Sequence, residues 1–394
     1  MGLFFHSRSE GVTVIDVVSA MYFNGSIVIW FVNKVMLQKE KAAYNLGDWF
    51  ILAFFFFLIF NFIIAYINQA NLFTWIREYL VISLVLLYFP IKSIIKTEEE
   101  LKKFLAFFAV VLIGVGIYQG YLYYTKLNEI IIQYAFELST GVNVNQTIYT
   151  TATIFGFVFT FHQVKKKNEI QILIFTGFML ISLIATFSRT FWVILAVFIG
   201  LMFVFFPAEK KISIVKYLIF LFIIFFALAF LLMKENLFLY LQVILERFTS
   251  SADGTRDMSV VARLVEWETL FKKIGQHPLS GSGLGKVFTF YSPIQLFTYH
   301  TDVIHNGFLF IIYRVGIPTA LLYFAFIIFY NIKAYNNLIL SIKFGNNFEL
   351  SLGISTFVCY LVLYIANITS AQYFYRDGLI VVSLLCFFTD YLGR

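Results

Sequence analysis

Charge is scarce in this chain of 394 residues: Asp, Glu, Lys and Arg together make up 13% of it. A soluble globular domain carries about twice that share. The scarcity excludes a soluble enzyme, a disordered tail and a coiled-coil or collagen-type rod. Proline is scarce too, with five residues, so signals for broken helices are few. The only two cysteines, Cys359 and Cys386, sit in the middle of separate apolar stretches. They read as small hydrophobes, not as a disulfide. The first dozen residues lack a basic start, an apolar core and a small-residue cleavage site, so no cleavable signal peptide is expected. No Asp-x-Asp pair occurs, and no Gly-Lys-Ser/Thr follows a glycine run.

What the chain has is apolar surface. Hydrophobic residues make up 60%, 51 residues are Phe, and mean hydropathy is +0.84. Long apolar runs recur from end to end, which predicts an all-α, polytopic membrane bundle. Eleven spans are expected, near 12–33, 48–67, 77–95, 104–124, 147–163, 170–187, 190–206, 213–233, 304–330, 350–367 and 376–392. Residues 1–233 then form an N-terminal bundle, 234–303 an outer segment and 304–394 three further spans. The lysines orient it. Fifteen of the 20, including Lys34, Lys92, Lys165, Lys210 and Lys333, fall in alternate connections. Those connections are cytoplasmic by the positive-inside rule, with the N-terminus outside and Arg394 inside.

Arginine breaks the rule. Of nine arginines, only Arg394 falls on the cytoplasmic side. Arg8, Arg77, Arg189, Arg247, Arg256, Arg263, Arg314 and Arg376 lie in outer connections, at outer span ends or within a span. Guanidinium suits two-pronged binding of phosphate and carboxylate. Two readings stand: an anion-handling outer face, or pairing with outer carboxylates such as Glu78, Glu246, Glu266 and Asp377.

The outer segment 234–303 is the only long polar connection, and a loop of 70 residues is usually functional. Within 236–248, Leu237, Leu241, Ile244, Leu245 and Phe248 recur at helical spacing, which predicts an amphipathic helix on the membrane surface. A second helix is expected over about 258–274, from the stripe Val260, Leu264, Trp267, Phe271 and Ile274. Arg256 and Arg263 share a face of it, and Trp267 stands one turn beyond Arg263, within bracing distance. Gly281, Gly283 and Gly285 follow. Alternating glycines can aim N–H groups at an anion, but a flexible turn is the simpler reading.

His305 and Asn306 begin the ninth span. On a continuous helix Gly316 falls within ~20° of His305 and Thr319 within ~40°. Arg314 points to the opposite side at mid-membrane depth, where a cation must pair or face a wet cavity. His300, Asp302 and His305 could be construed as a zinc site, but three ligands within six residues are geometrically awkward.

The pattern His305-Asn306, Gly316, Thr319 resembles the signature of bacterial O-antigen ligases. Ser188-Arg189 at a span mouth and Arg263 with Trp267 ahead of His277-Pro278-Leu279-Ser280-Gly281 agree with it. The resemblance covers roughly 140–330. It implies a GT-C-like membrane glycosyltransferase needing no metal or other cofactor, which moves a glycan from undecaprenyl diphosphate to an acceptor hydroxyl at the outer face of the inner membrane. Partners would be the lipid-linked donor, lipid A core or another glycan as acceptor, and membrane lipid, with no nucleic acid. Taken with the reading of the residues, the resemblance points to His305 as base, Arg189 and Arg263 on the diphosphate, and Arg77, Arg256, Asn306, Trp267 and Arg314 as substrate contacts. Capsule and O-antigen polymerases share these motifs. A lipid-glycan flippase is the rival from another class, but no internal repeat is evident and polarity concentrates on one face. The family usually has about twelve spans with both ends cytoplasmic, one more than this chain shows.

Overall fold

A computed structural model describes residues 14–130, 145–162, 166–184, 186, 188–205, 208–233, 258–292, 297–301 and 304–394. The helices are α1 (Val14–Phe31), α2 (Leu46–Ile67), α3 (Leu72–Ile82), α4 (Tyr88–Ile94), α5 (Glu98–Ile130), α6 (Gln146–His162), α7 (Lys166–Ile184), α8 (Arg189–Phe205), α9 (Ala208–Met233), α10 (Met258–Gln276), α11 (Gly307–Val315), α12 (Ile317–Phe344), α13 (Asn347–Thr369) and α14 (Arg376–Leu392). A 3₁₀ segment, Ser83–Leu87, joins α3 to α4. The described residues of each predicted span are largely helical. Among the described residues, five stretches suffice by length and composition to cross a membrane: Leu46–Ile67, Leu72–Ile94, Glu98–Tyr121, Ile317–Phe344 and Asn347–Thr369. The predicted helix over 236–248 lies outside the described residues.

Two compact units form, each from separate stretches of chain. One comprises residues 1–96, 258–343 and 363–394, the other 97–257 and 344–362. In the second unit α6 lies against α7 at Gly156, where a methyl group would strike the Thr176 side chain. Small residues permit such close helix approach.

In the first unit α14 is the core: residues from Gly378 to Asp390 are all buried. Around it, α2 turns Phe56, Phe57, Phe60 and Ile63 outward. A helix face of exposed phenylalanines is built to face lipid. A polar cluster ties the helix ends together. Tyr330 donates its hydroxyl proton to buried Asp48 at 2.8 Å, and Tyr88 donates to the same carboxylate. Lys333 donates to Asp390 at 2.6 Å, and Lys92 donates to it as well. The Arg394 guanidinium caps the α4 end through the carbonyl of Lys92 at 2.9 Å.

The ninth predicted span needs correction. It is not one helix: Gly316, at φ 78° and ψ 163°, separates α11 from α12. Gly316 therefore does not continue the face of His305, and the angular arithmetic across it does not apply. The break is stabilised by the segment after α10. Ser282 N–H donates to the Tyr313 carbonyl at 2.7 Å, Gly283 N–H to the Arg314 carbonyl at 3.0 Å, and Ile317 N–H to the Pro278 carbonyl at 2.8 Å. These bonds satisfy the backbone groups that the interruption releases. Pro318 sits in the first turn of α12, where its missing N–H costs nothing.

The glycine run is correspondingly not a flexible turn. Gly283, at φ 89°, lies so close to α2 that a Cβ would come within 2.6 Å of Ala65 Cα. Leu284 N–H donates to Asn61 Oδ1 and Gly285 N–H to Glu78 Oε2, both at 2.9 Å. Asn61 also donates to the Arg314 carbonyl at 3.0 Å. Arg314 itself is fully buried and pairs with Glu78 Oε1 at 2.8 Å. It also donates to the Lys286 carbonyl, and its guanidinium stands 4.8 Å from the Phe310 ring centre.

Glu78→Gln removes the carboxylate from a buried guanidinium. A lost partner of this kind costs about 3–5 kcal/mol, so thermal unfolding of the purified protein in detergent should shift down by several degrees. Glu268→Gln, on the exposed side of α10, should shift it little. An unchanged unfolding temperature for Glu78→Gln would show the pair to be dispensable.

Candidate active site

Two strands precede α11: β1 (Phe288–Ser292) and β2 (Phe297–Thr301), paired antiparallel with Thr289 opposite His300. The alternation Phe-Thr-Phe-Tyr and Phe-Thr-Tyr-His is a strand signal that helical reading of the segment passes over. The chain then turns at His305 into α11. Asn306 caps that helix: its Oδ1 accepts from Phe308 N–H at 3.1 Å and Leu309 N–H at 3.0 Å. Gly307 leaves the room that Asn367 fills; a methyl group there would meet Asn367 Nδ2 at 2.7 Å.

This turn holds His305 against α10. Its backbone N–H donates to Glu266 Oε1 at 2.6 Å, and its Nδ1 lies 2.9 Å from Glu266 Oε2. Glu266 is buried, while the His305 side chain is 48% exposed. A carboxylate can only accept, so it fixes Nδ1 as the protonated nitrogen and leaves Nε2 as the proton acceptor. Two contacts from one carboxylate, one to backbone and one to ring, set both the position and the rotation of the imidazole. Both belong to one residue of α10 and one of the α11 turn, and α10 contacts α11. Chemically, such an arrangement is able to accept a proton at Nε2 while the carboxylate orients the ring.

Arg263 lies three residues before Glu266 on the same helix and is half-buried. Trp267 follows Glu266, and its indole N–H is enclosed with no hydrogen-bond partner among the described residues. Arg77 is exposed on α3, beside Glu78. Asn306 is buried and its carbonyl is committed to the cap. Arg314 is fully enclosed beneath the glycine run. Arg256 and Asp302 lie outside the described residues. Arg189 opens α8 in the second unit, and its side chain is likewise outside them. The residues brought together are thus His305 and Glu266, with Arg263 and Trp267 on the same helix as Glu266.

Glu266 is the residue that sequence reading did not place. It figured only as one carboxylate that an outer arginine could pair with. Its separation of 39 residues from His305 leaves no local periodicity to reveal the contact.

Residues 174–324 match the family model described as O-antigen ligase. Over that stretch the chain is similar to O-antigen ligases. No curated protein matches it. The ligase match takes in Glu266, the glycine run, the hairpin and His305, and ends within α12. It leaves out α2 and α3, which supply the anchors Asn61 and Glu78.

Glu266→Ala should lower stability, because the His305 N–H loses a buried acceptor, at a cost of about 1–3 kcal/mol. Glu266→Gln keeps a carbonyl for that N–H and should unfold closer to wild type. Thermal melts of the two variants side by side check this; equal losses would mean that the backbone contact is not the stabilising one.

Proposed function

We propose that this protein is a membrane glycosyltransferase of the O-antigen ligase type, acting at the outer face of the bacterial inner membrane. Its donor is a glycan on undecaprenyl diphosphate, and its acceptor is a sugar hydroxyl, on lipid A core or on another glycan. The observation that carries the reading is the half-exposed imidazole of His305, held by buried Glu266.

In the proposed reaction the acceptor oxygen attacks the anomeric carbon while the bond from that carbon to the diphosphate oxygen breaks. The hydroxyl proton passes to His305 Nε2. The electron pair of the broken bond leaves with the diphosphate, whose growing charge needs cations. Arg263 is the proposed partner on α10, and Arg189, Arg77 and Arg256 are further ones. With guanidinium groups in that role the reaction needs no metal or other cofactor. Trp267 and Asn306 support the site, the first beside Glu266 and the second as the cap that holds the His305 turn. Arg314 acts from below, by fastening the glycine run. The lipid-facing phenylalanines of α2 suit a polyprenyl-bearing membrane substrate.

The superfamily equally covers polymerases, which differ in using a second lipid-linked glycan as acceptor. Supplying purified donor with lipid A core or with lipid-linked glycan, each in the presence of chelator, separates the two by the product formed.

His305→Ala should lower the transfer rate by about 10²–10⁴-fold, with expression and donor-lipid synthesis intact. Glu266→Gln should lower kcat by about 10²-fold or more while KM holds, because an amide can donate to Nδ1 and impose the wrong tautomer. Arg263→Lys should lose far more than Lys272→Arg, since an ammonium cannot reproduce the guanidinium fork. Near-wild-type transfer by His305→Ala would remove the base from the proposal.

A further inference from the structure

Five lysines depart from the cytoplasmic pattern: Lys126, Lys234, Lys272, Lys273 and Lys286. Lys272 is neutralised, with its ammonium 2.7 Å from Glu268. Lys273 and Lys286 are not. Lys273 Nζ donates to Thr289 Oγ1 at 3.2 Å and stands 4.8 Å from the centre of the Phe288 ring. Lys286 Nζ donates to the Asn68 carbonyl at 2.6 Å. Among the described residues neither ammonium has a carboxylate partner. Glu78, which binds Gly285 N–H one residue away, is already paired with Arg314.

The two positions are held from several sides. Lys286 is fixed by its own carbonyl, which accepts from Arg314, and by Asn68, which donates to the Ser282 carbonyl at 3.1 Å. Lys273 lies seven residues beyond Glu266 on α10, so it shares that helix face some ~10 Å along the axis. Burial, and then repulsion from Lys286, hold the Lys273 ammonium below the ordinary lysine range. Lys273 reaches Phe288 and Thr289, two and three residues beyond Lys286 in the chain, so two half-shielded ammonium groups without a carboxylate partner among the described residues serve one stretch of chain, which is costly.

We infer that Lys273, Lys286 and the Thr289 hydroxyl form a second anion site, separate from the His305–Glu266 pair, which takes a phosphate or diphosphate group of a membrane lipid. Two ammonium point charges match a doubly charged phosphate. Thr289 Oγ1 accepts from Lys273, which leaves its own proton free to donate to a phosphate oxygen. A phosphate ligand supplies the missing counter-charge. The site does not depend on which glycan is moved, or on whether one is.

Amine acetylation of the intact protein, with the rate at each lysine read by mass spectrometry, tests this without any activity assay. The full chain is placed in phosphatidylcholine nanodiscs, with or without inorganic pyrophosphate, and separately in discs containing phosphatidylglycerol. An amine acetylates only when unprotonated, so bound phosphate should slow Lys273 and Lys286 about ten-fold for each unit by which it raises their pKa. Lys272 should be unaffected. Slowing by pyrophosphate identifies a site open to a diphosphate such as the donor's. Slowing only in phosphatidylglycerol discs supports the same site with a phospholipid headgroup as its occupant. No slowing by either anion, or equal slowing of all three lysines, would overturn it. Lys286→Gln gives a second measure: with the repulsion gone, Lys273 should acetylate more slowly, and an unchanged rate would show that the two amines do not share a site.

Discussion

A backbone N–H or carbonyl within a membrane bundle has no water to turn to, so an interrupted helix must find partners in the protein. At Gly316 they come from residues 278–283, whose N–H and carbonyl groups bond to Tyr313, Arg314 and Ile317. Glycine is required on both sides of this seam. Gly281 and Gly316 each adopt positive φ, and a Cβ on Gly281 would fall 2.5 Å from Gly316 N. The buried Arg314–Glu78 pair and Asn61 then fasten the seam to α2 and α3. The segment after α10 is thereby joined to the helical core, and α10 and the strand pair take their places from it.

On that support the chemistry is economical. One carboxylate of α10 reaches both the backbone and the ring of His305, so the imidazole is set by the same contact that docks its turn. Asn306 caps α11 from the next position, and Gly307 leaves room for the Asn367 side chain to pack against the helix start. The exposed ring nitrogen therefore has a defined direction before any substrate arrives, which is the geometric requirement for a general base. Along the same helix the charges alternate: Arg263, Glu266, the exposed Glu268–Lys272 pair, then Lys273. Exposed pairs such as Glu268–Lys272 are weak in water; the lysine lowers that glutamate's pKa without enclosing it. Lys273 has no carboxylate partner of this kind among the described residues.

Much of the helical layout was legible in the amino-acid order, because spans follow from contiguous apolar length. The helix over 258–276 was legible for a related reason: one stripe of apolar residues at 3.6-residue spacing needs only local sequence. His305 stood out because an imidazole beside a polar segment is chemically conspicuous at a span mouth. The hairpin at 288–301 was missed where aromatic alternation lay inside a segment scanned for helices. The break at Gly316 was missed because Gly-Ile-Pro is tolerated within membrane helices, and the partners that stabilise the break lie more than thirty residues earlier.

What the sequence by itself determined was the apolar bundle, the clustering of lysine in alternate connections, and the chemical identity of His305 and the arginines. These depend on composition and on near-neighbour spacing, which one strand of text contains in full. Tertiary structure decided the partners: Glu266 for His305, Glu78 for Arg314, the glycine run for the break between α11 and α12. Those pairs join residues 39, 236 and about thirty positions apart. A hydrogen bond is settled by distance in space, to within a few tenths of an ångström, and spacing along the chain carries no record of it.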